Sequence, residues 1–353
     1  MQNDFNPNEA CAPNNHYFGF PYNHEDCPLV LVSMPWDVTT SYRAGAAHGP
    51  QAILDASVQL DFFDFEIPDA WNLGIGTYPV EESRPIAALS AKMRPVAEKQ
   101  IAFSEGRLKR YPQARREADH RLLEESCQRV NAWLETVCTD ILKENRHVAV
   151  VGGDHSSPYG LLKALSRVHD TFGILHLDAH ADLRKAYEDF TFSHASIMYN
   201  ALQLKQVIKL VQVGIRDVCQ DEQDFAAAQG GRVRQFPDIS LHKRLYEGET
   251  WRTLCQEIVS SLPEKVYISF DIDALQPALC PHTGTPVPGG LDFAQVRYLL
   301  SILRESGKRI IGFDLSEVAP APSLPLQPAD EWDGNVGARV LYMLSNTLLA
   351  SLH

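Results

Sequence analysis

Short apolar, β-branched runs recur along the chain. They fall at LVLVS (Leu29–Ser33), HVAVVGG (His147–Gly153), FGILHLDAH (Phe172–His180), VIKLVQVG (Val207–Gly214), KVYISFDID (Lys265–Asp273) and KRIIGFDLSEV (Lys308–Val318). Each is too short for an ordinary helix and too continuously apolar for a strand with one wet face, so each reads as a strand buried on both faces. Segments of helical length lie between them: Gly49–Ser57, Pro158–Val168, His194–Leu204, Trp251–Ser261, Leu291–Glu305 and Asn335–Leu349. Such strands alternating with helices predict an α/β fold, a three-layer α/β/α sandwich around a mostly parallel sheet.

Two stretches depart from the alternation. Residues 1–28 are polar and rich in Asn, Pro and His, and read as an N-terminal extension, either a loose arm or a cover for a sheet edge. Residues from about 84 to 145 are charge-laced and mostly helical. There Val130, Trp133, Leu134, Val137, Ile141 and Leu142 recur at steps of three and four, making one apolar stripe. No Gly-, Ser- or Pro-rich linker brackets this stretch, so it reads as a helical insertion within a single domain spanning 29–353.

Composition narrows the function. Lys and Arg number 32 against 45 Asp and Glu, a net charge of −13, which gives no general basis for gripping a phosphate backbone. No nucleic-acid partner is expected. No apolar run is long enough to span a bilayer, and the acidic, polar start lacks the basic and apolar parts of a signal peptide. Seven cysteines with no CxxC pair read as reduced thiols and predict a cytoplasmic protein.

Three of the predicted strands end in ligand-type residues: Asp154 and His155 after the first GG, Asp178, His180 and Asp182 in DAHAD, and Asp271 and Asp273 in SFDID. In open parallel sheets, ligands bind beyond the carboxyl ends of the strands. A step of two along an extended chain keeps side chains on one side, so each D-x-H or D-x-D can point at one spot. A lone Asp at a strand end is ordinarily a turn or a helix cap, but three clusters with matching spacing are hard to obtain by capping alone. Two His and four Asp without Cys suit manganese, and allow nickel, iron or cobalt, better than structural zinc. Six ligands exceed the need of one ion, and without metal the carboxylates would repel one another. His176 reads as a packed core histidine on the opposite face of its strand from Asp178.

The segments GGDHS (Gly152–Ser156), DAHAD (Asp178–Asp182) and SFDID (Ser269–Asp273) resemble the three signature motifs of the ureohydrolase family, which comprises arginases, agmatinases and related amidinohydrolases. HTGTPVPGG (His282–Gly290), DLSEVAP (Asp314–Pro320) and SYRAGAAHGPQAI (Ser41–Ile53) resemble further family segments, and the likeness runs from about Leu29 to Leu349. The resemblance implies an arginase-like fold and two divalent ions, most simply Mn2+ with Ni2+ as the alternative. His155, Asp178, Asp182 and Asp271 would hold one ion and His180, Asp178, Asp271 and Asp273 the other. Asp178 and Asp271 would bridge. A metal-bridging hydroxide would attack the guanidinium carbon to release urea and an amine. His194 matches the family's acid/base histidine, Glu317 the carboxylate that holds the guanidinium, and Asp182 is placed with them among the catalytic residues. Asp154 would orient a ligand histidine or its loop. By analogy a homotrimer or homohexamer is expected.

The loop Leu183–Ser193, LRKAYEDFTFS, lacks the Asn-rich pattern with which arginases grip the amino-acid end of arginine. Agmatine is therefore the favoured small cationic substrate. Arg184 could instead accept a substrate carboxylate, which keeps guanidinobutyrate and formimidoylglutamate in view. Tyr187, Phe190, Phe192 and Trp36 could narrow the pocket to free guanidine, with Glu188 helping to recognise the cation and nickel as the metal. PHTGTP replaces the family's usual PGTGTP and puts His282 near the pocket wall. The rivals from other classes are a single-zinc deacetylase of similar architecture and an inactive regulatory homologue.

Overall fold

Eight strands among the described residues form one sheet: β1 (Leu29–Met34), β2 (Ile75–Thr77), β3 (His147–Gly152), β4 (Phe172–Leu177), β5 (Val207–Val213), β6 (Val233–Phe236), β7 (Lys265–Asp271) and β8 (Arg309–Ser316). The structure is a computed structural model that describes residues 5–322 and 331–352. The first four residues of the N-terminal extension, residues 323–330 and residue 353 lie outside the described residues. The strand order is β2-β1-β3-β8-β7-β4-β5-β6, with every neighbouring pair parallel. The ten α-helices among the described residues are α1 (Gly49–Ser57), α2 (Arg84–Ser104), α3 (Gln113–Lys143), α4 (Tyr159–Val168), α5 (Ile197–Leu202), α6 (Gln220–Ala228), α7 (Asp238–Tyr246), α8 (Trp251–Ser260), α9 (Phe293–Glu305) and α10 (Trp332–Ala350).

Alternation along the strands sorts the core into two layers. Leu29, Leu31, Val151, Leu175, Val211, Phe270 and Phe313 pack with α1 and α7–α10 on one face. Val30, Val32, Val150, Ile174, Leu210 and Tyr267 pack with α2–α6 on the other. The result is the three-layer sandwich read from the sequence. No helix among the described residues is long and apolar enough to cross a membrane.

The six apolar runs are the six inner strands. The two that pattern reading missed, β2 and β6, are the sheet's edges: β2 has only three residues, and β6 is largely half-buried. Residues 17–27 cover the β2 edge. Tyr17 N–H donates to Thr77 Oγ1 at 2.9 Å, and a Cβ on Gly76 would lie 2.6 Å from His24 Cα, so the close approach of the two backbones requires glycine there. Phe18, Phe20, Phe62 and Tyr342 form an aromatic cluster beneath this cover.

The chain leaves β3, enters the far half of the sheet at β4, and returns to fill the gap with β7 and β8. The reversal leaves β3, β8, β7 and β4 side by side in the middle, with a crevice beyond their carboxyl ends, where such sheets bind ligands.

Candidate metal centre and its cavity

All six metal-ligand candidates converge in that crevice. His155, just past β3, turns Nδ1 to Asp178 Oδ2 at 3.0 Å, Asp182 Oδ2 at 3.2 Å and Asp271 Oδ2 at 3.2 Å. His180 Nδ1 faces Asp273 Oδ2 at 3.0 Å and Asp178 Oδ1 at 3.5 Å. Asp178 thus gives one oxygen to each group and joins them. Asp271 Oδ2 lies with His155, while its Oδ1 accepts the Asp273 N–H at 2.8 Å. Asp182 holds a left-handed backbone at φ 53°, a local strain of the kind that collects at functional sites.

The electrostatics describe a site built around missing positive charge. Among the described residues no Lys or Arg pairs with these four aspartates. Burial raises Asp182 to about 6, with Asp178 adding to it, and burial with Asp273 and Asp178 lifts Asp271 well above the usual carboxylate range. Burial opposes charge on His180, yet Asp273 and Asp178 outweigh it and push the ring up to about 12. The same carboxylates that favour protons on the two histidines would favour a cation between them. Imidazole nitrogens, carboxylate oxygens and no thiol form a donor set suited to hard or borderline divalent ions, and the group Asp178, His180 and Asp273 brings its ligand atoms close enough together to hold one.

A second set of residues orients the first. Ser269 Oγ donates to Asp314 Oδ1 at 2.8 Å, and so accepts from His155 Nε2–H at 2.9 Å. Tyr267 and Ser316 hydroxyls also donate to Asp314, at 2.7 and 2.9 Å. This leaves His155 Nδ1 as the atom offered to the crevice. His176 is buried in the core as expected, but not on the face opposite Asp178. Positions two apart on a strand share a face, and its Nε2 lies 2.8 Å from Asp178 Oδ2.

A cavity of about 170 Å³ opens over the cluster, lined by His155, His180, Asp182, Asp271, His194 and Glu317, with Ser41, Arg184, Tyr187, Asp217, Glu222 and Thr285 also on its lining. Glu317, at φ 64°, accepts the His155 N–H on Oε1 at 2.9 Å. Its Oε2 is buried without a hydrogen-bond partner among the described residues. Burial, with Asp154 beside it, raises this carboxyl well above its usual range. Burial, together with His180 and His155, pushes His194 down to about 3.

Asp154 does orient a loop. Its Oδ2 accepts from Thr39 Oγ1 at 3.0 Å, and Thr39 Oγ1 in turn accepts the His194 N–H at 3.1 Å. The segment carrying Thr39 is clasped by α2, whose Arg94 donates through Nη1 to the carbonyls of Asp37, Val38 and Thr40 at 3.2, 3.3 and 2.5 Å. A helix from the 84–145 stretch therefore buttresses the cavity. Thr39, Arg94, Ser269 and Asp314 were not singled out by sequence reasoning. The signal available for two of them was a run of polar residues on one face of a buried strand: Tyr267, Ser269 and Asp271 on β7, and Asp314 and Ser316 on β8.

Several pocket-wall expectations are corrected. Of the aromatics, only Tyr187 lines the cavity. Trp36 and Phe190 are core residues, and Phe192 packs on Tyr159 at 5.7 Å. Glu188 faces away, with Arg94, Glu105 and Arg107 around it; burial lifts it to about 7. His282 is tied to α10, Nδ1 to Asp333 Oδ2 at 2.7 Å, and Thr285 takes the wall position. Arg184 stacks over the Tyr187 ring at 4.8 Å and lies 3.7 Å from Glu222.

Comparison with known proteins agrees with this geometry. The arginase family profile matches residues 27–327. The chain is 33% identical over 298 residues to an N(1)-aminopropylagmatine ureohydrolase of Thermus thermophilus, covering 84% of each. It is 27% identical over 300 residues to an agmatinase of Halalkalibacterium halodurans, covering 85% of this chain and 86% of that one. In fold it is similar to the proclavaminate amidino hydrolase from Streptomyces clavuligerus, with a TM-score of 0.72 and 23% identity over 97% of this chain and 99% of that one. It is also similar to the agmatine ureohydrolase of Thermoplasma volcanium, at 0.67 and 21% over 94% and 92%. The chain therefore belongs to the arginase family, as an agmatinase-like ureohydrolase acting on an amidine C–N bond.

Proposed function

We propose that the protein hydrolyses agmatine to putrescine and urea with two divalent cations, manganese first among them, in the crevice. His155, Asp178, Asp182 and Asp271 would hold one ion, and His180, Asp273, Asp178 and Asp271 the other. When bound, the ions lower the pKa of water and supply a nucleophile at neutral pH.

The observation that carries the substrate reading is the buried, unpartnered Oε2 of Glu317, a residue on the lining of the cavity over the His/Asp cluster. A buried carboxylate oxygen without a donor suits a guanidinium, which supplies charged N–H donors in one plane. Glu317 thus holds the guanidinium with its carbon toward the cluster. His194, on the cavity lining with its backbone N–H held by Thr39, takes a proton and passes it to the departing amine, which must leave protonated. Asp217, an exposed carboxylate on the cavity lining, favours a cationic tail, while Arg184 stacks on Tyr187 with the Glu222 carboxylate beside it, which disfavours its use for a substrate carboxylate. This supports agmatine, or agmatine lengthened by an amine arm, over arginine and guanidinobutyrate.

The test is urea release by the purified protein loaded separately with manganese and with nickel. The panel is agmatine, N1-aminopropylagmatine, arginine, guanidinobutyrate and guanidine. Preference for the two amine-tailed substrates supports the reading. Urea from guanidine alone, or a preference for the carboxylate-bearing substrates, overturns it.

A further inference from the structure

A row of polar side chains crosses the interior of the sheet where apolar packing would be expected. Gln235 on β6 is the register partner of Gln212 on β5, Gln212 of His176 on β4, His176 of Ser269 on β7, and Ser269 of Asp314 on β8. The middle members are fully buried, Gln212, His176, Ser269 and Asp314 each showing no exposed surface. Burying this much polarity without use is costly. The Ser269–Asp314 end holds His155; the other end has no role in the chemistry proposed above.

The hydrogen-bond inventory fixes what that end does. The Ala181 carbonyl, between His180 and Asp182, can only accept, so the Gln212 atom 2.7 Å away is the amide nitrogen. Gln235 Nε2 donates to the other terminal atom of Gln212 at 2.9 Å, which agrees with that atom being the oxygen. The second Gln212 N–H therefore points at His176 Nδ1, 2.9 Å away, and makes it an acceptor. A proton on Nδ1 would set two donors against each other. The single ring proton of His176 thus sits on Nε2 and is donated to Asp178 Oδ2 at 2.8 Å.

We infer that His176 is a positioning residue for the metal centre, oriented by Gln212 and Gln235, rather than one of its ligands. Its ring nitrogen nearest the cluster carries a hydrogen and cannot also bind a cation. It takes one lone pair of Asp178 Oδ2 and so aims the carboxylate that joins the His155 and His180 groups. The same Gln212 amide pins the backbone between His180 and Asp182. A single glutamine, remote from the cavity, thereby sets the geometry of three candidate ligands. The inference rests on the cluster being a metal centre.

Two measurements test it separately from that reading. Long-range 1H–15N spectra of the metal-free, 15N-histidine-labelled full chain should show the His176 ring protonated at Nε2 only. The signal is assigned by its loss in His176→Gln or its shift in Gln212→Met. A ring protonated at Nδ1, or at both nitrogens, overturns the inference whatever the protein does with metal. The second is competition of a chelator against manganese alone. His176→Gln, which can place an amide N–H where Nε2–H stood, should stay within roughly 3-fold of the unsubstituted affinity. His176→Leu should lose roughly 10- to 100-fold, the usual effect of removing a residue that orients a ligand. Equal losses in the two variants, or no loss in His176→Leu, overturn the inference. If the unsubstituted protein takes up no manganese while the ring is protonated at Nε2, the metal-centre reading fails and the hydrogen-bond chain stands.

Discussion

Glu317→Gln isolates the interaction on which the substrate assignment depends. In the native site Oε1 accepts the His155 N–H, and Oε2 has no donor among the described residues. Glutamine keeps the shape and can keep the first bond through its amide oxygen. At the second position it presents an N–H2 group to a substrate that also offers only N–H. The loss is one charge-assisted hydrogen bond, about 1.5–3 kcal/mol, which corresponds to roughly 10- to 150-fold in kcat/KM at 1.4 kcal/mol per decade. There is little room for the site to adapt, because a Cβ on Gly284 would already lie 3.3 Å from Oε2. Manganese content should be unchanged, since Glu317 touches only the backbone of a candidate ligand. A pH arm sharpens the test. Burial and Asp154 raise this carboxyl well above its ordinary range, so below the raised pKa it is protonated and cannot pair with the cation. The native kcat/KM should therefore rise with pH through an ionisation above the usual carboxylate range, and that limb should vanish in Glu317→Gln. Steady-state urea release across pH, with metal analysis of both proteins, measures all of this. A variant within 3-fold of native kcat/KM, or one depleted of metal, would refute the guanidinium role.

Asp178→Ala should abolish manganese binding and turnover while circular dichroism and the unfolding transition show an intact sheet; full turnover would remove Asp178 from the centre. Manganese affinity should increase with pH, because the cation must displace the protons that the aspartates hold on His155 and, up to about 12, on His180. At least one proton released per ion makes the affinity change about 10-fold per pH unit, and a flat profile between pH 6 and 8 would contradict the cluster's electrostatics. Arg94→Met keeps the aliphatic stem but withdraws the donor shared by three loop carbonyls, so it should destabilise the fold by about 1.5–3 kcal/mol in a denaturant titration. The same variant should lower kcat through the Thr39–His194 contact, and unchanged kcat would detach the insertion from the active centre.

The parts of the fold legible in the sequence were those whose signal is local. A strand buried on both faces must be apolar along its length, and the six inner strands announce themselves that way. The edges carry no such mark. β2 is three residues of IGT, and β6, VRQF, is a half-wet edge whose composition is that of a loop. Helices α6 and α7 escaped for a related reason: QDEQDFAAA buries little beyond Glu222 and Ala226. The N-terminal extension is polar in composition, yet its aromatics Tyr17, Phe18, Phe20 and Tyr22 enter the core, with Phe5 packed against them. Average polarity hides a small buried minority.

The site divides along the same line. Residues that meet a cation must present ligand atoms at fixed spacing, so DAHAD and SFDID declare themselves in one dimension. Residues that orient them are chosen by what lies across the sheet. Gln212 and His176 are 36 positions apart, Thr39 and Asp154 115, and none belongs to a spaced pattern of its own. One rule would have recovered much of the hidden set. On a strand whose neighbours are all apolar, a polar residue two places before a ligand shares its face and its burial, and needs a partner there. That rule selects His176 before Asp178 and Ser269 before Asp271, and on β5 it marks Gln212 as the buried polar residue facing them. The rule gives only half the information, since it says that a partner exists without saying which atom donates. Here that was decided by the Ala181 carbonyl, a group with no side-chain identity. The direction of the hydrogen-bond chain, and with it the aim of Asp178, is thus set by backbone geometry that appears only once the sheet is assembled.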